Sequence, residues 1–133
     1  MDTLITGIAK IWTDEHGIVH KQVIENTHIT VDIVAESFKE TLEYIGHEKK
    51  LLLYDVRPHF TITDEAMIFL QGKIMEEYSI ATAVLANSLG VHIMADYLVH
   101  IKNIKVPLQV FPDEQKAIKW LLSFKRVKAQ TGI

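Results

Sequence analysis

The sequence predicts one α/β domain: a mixed sheet of about five strands, made of an N-terminal hairpin plus three parallel strands, with four helices. Three observations predict it. Leu51–Val56 and Ile80–Ala86 are short, continuous apolar runs, the pattern of strands covered on both faces. Each of these runs, and a third at Val106–Phe111, leads into a helix start. Ahead of them, two strand-like stretches flank the turn residues Asp14-Glu15-His16-Gly17. Strand–helix units in succession imply parallel strands, and the hairpin adds antiparallel ones.

In chain order, Leu4–Trp12 and Ile18–Ile24 read as the two hairpin strands, with Gly17 free to take a positive φ in the turn. Thr30 begins a helix whose apolar stripe is Val31, Val34, Ala35, Phe38, Leu42 and Ile45. Gly46 is placed to end it. After the strand Leu51–Val56, Thr61 and Thr63 precede Asp64-Glu65-Ala66, a helix start that runs to about Met75. Ala66, Met67, Leu70 and Ile74 suit its buried side. Asn87-Ser88 closes the strand Ile80–Ala86 and caps a helix of about Leu89–Lys102. Pro107, without an N–H, belongs at a strand start or sheet edge. Pro112-Asp113 opens the last helix, with Ala117, Ile118, Leu121, Leu122 and Phe124 inward. The domain is expected over residues 1–125, with 126–133 a frayed C-terminal tail.

Composition narrows the function classes. The 133 residues carry a formal charge of -3 and 48% apolar residues, which fits one domain with a real core. Without a basic block, nucleic acid has no electrostatic claim on the chain. There is no cysteine, hence no disulfide or thiolate chemistry. No run approaches the roughly 20 apolar residues of a membrane span, and the N-terminus does not read as a signal peptide. A soluble, cytoplasmic protein is the expectation. Extra apolar bulk on the third helix (Ile93, Tyr97, Val99) adds the expectation of a homodimer.

The candidate site is the edge where the apolar strands end. Open α/β sheets place their sites there, and helix N-termini direct free N–H groups outward. Asp55, Thr61, Thr63, Asn87 and Ser88 gather at this edge as a ligand- or partner-binding surface. Thr61 and Thr63 are candidate phosphorylation sites, though capping is the ordinary use of such a threonine. With Thr63 as the cap, Thr61 is left free. Asp55 and His59 could form an acid–base pair, but no nucleophile motif accompanies them, and Asp55 also reads as a strand-end carboxylate bonded to Arg57. His92, Asp96 and His100 repeat every four residues, yet the outer two lie about 12 Å apart along the axis and cannot share one ion. They read as a solvated face. No metal, cofactor or catalytic residue is expected. No glycine-rich phosphate loop is present.

These stretches also carry a resemblance. Gly17-Ile18-Val19, Ile29-Thr30-Val31-Asp32, Leu53-Tyr54-Asp55-Val56-Arg57, Thr61-Ile62-Thr63-Asp64-Glu65-Ala66, Ala83-Val84-Leu85-Ala86-Asn87-Ser88, Pro107-Leu108-Gln109-Val110-Phe111 and Glu114–Leu121 occur in that order. Together they resemble the SpoIIAA-like group within the STAS-like/CRAL-TRIO-like superfamily. The resemblance implies a SpoIIAA/STAS-like mixed-sheet domain. In true anti-sigma-factor antagonists a serine in an Asp-Ser-Ser-Gly type motif is phosphorylated at the helix start. This chain instead has Asp55 and a longer turn to Thr61 and Thr63. The implied function is a non-catalytic regulatory or protein-interaction module with a protein partner. The alternative is a small-molecule or lipid binder, using an apolar pocket or an anion at the helix N-terminal edge.

Overall fold

The structure, a computed structural model, describes residues 3–71, 79–96 and 105–131, without the side chains of 71, 94 and 126–131. Its main sheet has six strands in the order β1-β2-β3-β5-β7-β8. These are β1 (Leu4–Ile5), β2 (Ala9–Thr13), β3 (Ile18–Val23), β5 (Lys50–Asp55), β7 (Ser79–Leu85) and β8 (Leu108–Phe111). A second, two-stranded parallel sheet joins β4 (Thr27–Ile29) to β6 (Phe60–Ile62). The helices are α1 (Val31–Ile45), α2 (Asp64–Gln71), α3 (Leu89–Asp96) and α4 (Glu114–Thr131).

The first expected strand, Leu4–Trp12, is in fact two. The Thr6 hydroxyl accepts the N–H groups of Ile8 (3.2 Å) and Ala9 (3.0 Å), and this local turn reverses the chain so that β1 pairs antiparallel with β2. The β2–β3 hairpin forms as expected. Asp14 organises its turn by accepting from the backbone N–H of His16 (2.8 Å) and Ile18 (3.0 Å), and Gly17 adopts φ 81°. β3, β5, β7 and β8 are mutually parallel. β5 and β7 are both interior and adjacent, as their apolar runs require. Pro107 sits just ahead of the edge strand β8, where its missing N–H costs nothing, and its carbonyl accepts from Thr82 N at 2.9 Å.

Side-chain alternation divides the core. Leu51 and Leu53 of β5 pack with Ile18, Ala81, Ala83 and Leu85 against Ala117 and Leu121 of α4. Leu52, between them, turns to the other face and packs with Ile11, Val19 and Ile45 of α1. Ile29, Val34 and Ala66 form a third cluster that seats the small sheet and α2, with Phe60, Ile62 and Phe69 against it.

α1 departs from the expected stripe. Its fully buried residues are Val34, Ser37, Thr41 and Ile45, so two hydroxyls replace the expected Ala35, Phe38 and Leu42 at the centre. The reason lies on the sheet: Lys21 projects beneath this helix and needs an acceptor, which Thr41 provides at 3.0 Å. Gly46 ends the helix with φ 78° and donates to the Leu42 carbonyl. On α2, Ala66 is buried as expected, but Leu70 is exposed and Phe69 packs inward instead. The expected continuations to Met75 and Lys102 lie outside the described residues. α4 is capped by Asp113, whose carboxylate accepts from Gln115 N at 2.8 Å. It continues to Thr131, through most of the stretch expected to be a tail.

Candidate functional site

Asp55 ends β5 and is buried. Its Oδ1 accepts from the Arg57 backbone N–H (3.0 Å) and Nε (2.9 Å), and its Oδ2 from Arg57 Nη2 (2.9 Å) and Gln22 Nε2 (3.0 Å). Burial pushes its pKa up, but the bonds from Arg57 and Gln22 outweigh this and leave it below the ordinary value. The hydrogen bonds to Asp55 raise the Arg57 pKa in turn, against a smaller opposing effect of burial. Arg57 Nη2 also lies 3.8 Å from Glu114 Oε1. The network therefore ties the end of β5 to the start of α4, and every bond of Asp55 goes to a structural neighbour. His59 does not join it: its N–H donates to Glu25 and its carbonyl accepts from Asn26.

Asn87 and Ser88 reach the same edge. Asp55 stands opposite Leu85 in the parallel register, and the ladder continues through Val56 N to Leu85 O and Ala86 N to Phe111 O, both at 3.0 Å. Asn87 and Ser88 follow directly and are exposed. The Ser88 carbonyl accepts from His92 N at 3.3 Å as the first turn of α3.

Thr61 and Thr63 are held elsewhere, on the small sheet. Thr63 caps α2: its hydroxyl accepts from Ala66 N at 3.1 Å, while its own N–H donates to Ile29 of β4. Thr61 is exposed, and its hydroxyl lies 2.6 Å from Nδ1 of His28, its register partner on β4. The five candidate residues thus fall into two groups, Asp55 with Asn87 and Ser88 at the main edge, and Thr61 with Thr63 across β4. His28 was not among the candidates. The signal available was the short motif Thr27-His28-Ile29, which has two β-branched residues, as does Phe60-Thr61-Ile62.

Two further polar groupings lie away from this edge. His20 is buried, its Nε2 is 2.8 Å from Asp14 Oδ2, and its ring stacks on Trp12 at 4.9 Å. Burial raises the Asp14 pKa, but bonds from His20, Ile18 and His16 bring it below the ordinary value. Lys21 lies on the opposite face of β3, under α1. Among the described residues no group of three or more His, Cys, Asp or Glu is placed to hold a metal ion. His92 and Asp96 are exposed, and His100 lies outside the described residues. No described helix is long and apolar enough to cross a membrane.

The strand order, the helix flanking and this sheet edge define a SpoIIAA-like α/β domain. A protein of the DUF3478 family from Shewanella loihica PV-4, with a SpoIIAA-like fold, superposes with a TM-score of 0.63 over 91% of this chain and 98% of that one, at 14% identity. That likeness is one of fold. The chain belongs to the DUF7793 family, a domain of unknown function, whose model matches residues 11–125. No curated protein matches it.

Proposed function

We propose that this chain is a non-catalytic regulatory or protein-interaction module, whose contact surface runs from Asn87 and Ser88 onto α3 and includes a second copy of the chain among its partners. One observation carries this reading. Leu89 and Ile93, one turn apart, are 76% and 61% exposed directly beside the candidate edge. Neighbours at this spacing share a helix face, and adjoining exposed apolar side chains mark contact surfaces. Ile68 on α2 is also exposed. Thr61 is the position at which such a module is open to control, because Thr63 already serves as the cap and Thr61 is exposed, although its hydroxyl is not free as expected but shares a hydrogen bond with His28.

The alternative, a small-molecule or lipid binder, has less support. A groove lined by Gly7, Asp32, Ile33 and Glu36 is open to solvent and has a volume of about 260 Å³, below the usual size of a ligand pocket. An anion at the main edge would find Arg57 already engaged by Asp55 and Glu114.

Sedimentation of the wild type and of the Leu89→Ser/Ile93→Ser double variant tests the reading. The wild type should sediment as twice the 15.2 kDa chain mass at micromolar concentration, and the variant as a monomer with an unchanged melting temperature. A monomeric wild type would remove self-association from the proposal.

A further inference from the structure

β8 ends the main sheet, and its outer side pairs with no strand among the described residues. The register fixes which backbone groups face out. Thr82 N donates to the Pro107 carbonyl at 2.9 Å and Ala86 N to the Phe111 carbonyl at 3.0 Å. A strand residue points its N–H and C=O to one side, and successive residues alternate. Residues 107, 109 and 111 therefore serve β7, while Leu108 and Val110 each hold one donor and one acceptor at the outer edge. Pro107 does not block that edge, because the place of its missing N–H faces β7.

Edge strands are templates for pairing, and proteins commonly guard them with charge, bulges or very short length. β1, at the opposite edge, has two residues. β8 has four, Leu-Gln-Val-Phe, with no charge and no break in its register with β7. Phe111 packs on the α4 side of the sheet, so Gln109, which is exposed, lies on that side and the half-buried Leu108 and Val110 on the other. α1 covers this other side. The crossover carrying α3 steps across the sheet in the same direction as the one carrying α1, so a right-handed path sets α3 there too, beside β8. The exposed Leu89 and Ile93 are thus neighbours of the unpaired edge.

We infer that a second copy of the chain seats its own β8 antiparallel on this edge, about a twofold axis at Gln109, so that two six-stranded sheets join into one. The pairing rests on the self-association proposed above and gives it a geometry. With Gln109 opposite its counterpart, Leu108 meets Val110 of the second copy, and each such pair exchanges both its N–H···O bonds. The edge is complementary to itself, as a twofold contact requires, because the same two residues supply donors and acceptors in equal number. No like charges meet across the join. An axis perpendicular to the sheet keeps both copies of α3 on one face, where Leu89 and Ile93 of each copy close over the paired strands.

The test is a disulfide trap in the full chain, which has no cysteine of its own. Opposed residues of a non-hydrogen-bonded antiparallel pair have Cα atoms about 4.5 Å apart, within the reach of a disulfide. Under mild oxidation Gln109→Cys should form a linked dimer at least about tenfold faster than Ile5→Cys, an exposed control on the opposite edge, and should melt like wild type. Amide hydrogen exchange on the wild type needs no variant. The Leu108 and Val110 N–H groups should exchange at least about tenfold more slowly in the dimer than on dilution, while those of Gln109 and Phe111, bonded to β7, change little. A wild-type dimer in which Gln109→Cys links no faster than Ile5→Cys, or in which the Leu108 and Val110 amides stay unprotected, overturns the β8 pairing and leaves the α3 contact standing. A monomeric wild type overturns both.

Discussion

The Thr61 hydroxyl and Nδ1 of His28 lie 2.6 Å apart across the parallel β4–β6 pair, 33 residues distant in the chain. Thr63, two residues on, caps α2. Neighbouring threonines thus have separable roles. Thr63→Ala should lower stability by about 1 kcal/mol, as loss of a cap does. Thr61→Glu should leave the melting temperature within a degree or two while changing association of the chain. Thermal melts and sedimentation of both variants separate the roles. A Thr61→Glu variant that melts like wild type and associates like wild type would remove Thr61 from the proposed control position.

Asp55 and Arg57 give a prediction in acid. The folded Asp55 pKa lies below its ordinary 3.8, so its bonds stabilise the fold fully above that value and less as pH falls through the folded pKa. Wild type should therefore lose stability below about pH 4, and Asp55→Asn should show a smaller loss there. Arg57→Ala leaves a buried carboxylate with fewer donors. It should cost about 1–3 kcal/mol at pH 7, moderated because the guanidinium is partly exposed. Urea unfolding across pH 2.5–7 reads both effects.

Lys21 gives a slope of the same sign in base. Its folded pKa is about 8 and its ordinary value 10.5. Below pH 8 both states hold the proton and the cost of burying the charge is fully present. Between the two values the unfolded chain binds more protons, so this group makes stability rise with pH. Lys21→Met should be more stable than wild type at pH 7 and lack that rise, because Thr41 keeps its bond to the Ser37 carbonyl. Chemical denaturation from pH 7 to 10 checks it, and a less stable Lys21→Met would show that the amine stabilises the seam.

Leu52 is fully buried between β2, β3 and α1. Leu52→Ala should cost about 2–5 kcal/mol by leaving a cavity that an interior strand cannot close. A loss under about 1 kcal/mol in urea unfolding would mean that α1 is free to settle onto the sheet.

The sequence by itself determined what rests on local signals. The unbroken apolar runs placed β5 and β7 in the interior, because no face of such a strand tolerates water. Gly46, Thr63, Asp113 and the Asp14–Gly17 turn marked element ends through backbone conformation and short-range hydrogen bonds, which need no distant partner. Tertiary structure decided the rest. Strands of three residues, such as Thr27–Ile29 and Phe60–Ile62, are too short to show a period, and only their mutual pairing makes them a sheet and brings His28 to Thr61. The buried face of α1 was likewise not legible, because Thr41 turns inward to meet Lys21 and Ser37 to meet Thr6, both distant in the chain. Apolar spacing records what a helix prefers to bury. Which side chains it does bury depends on the polar group on the facing strand that must be satisfied.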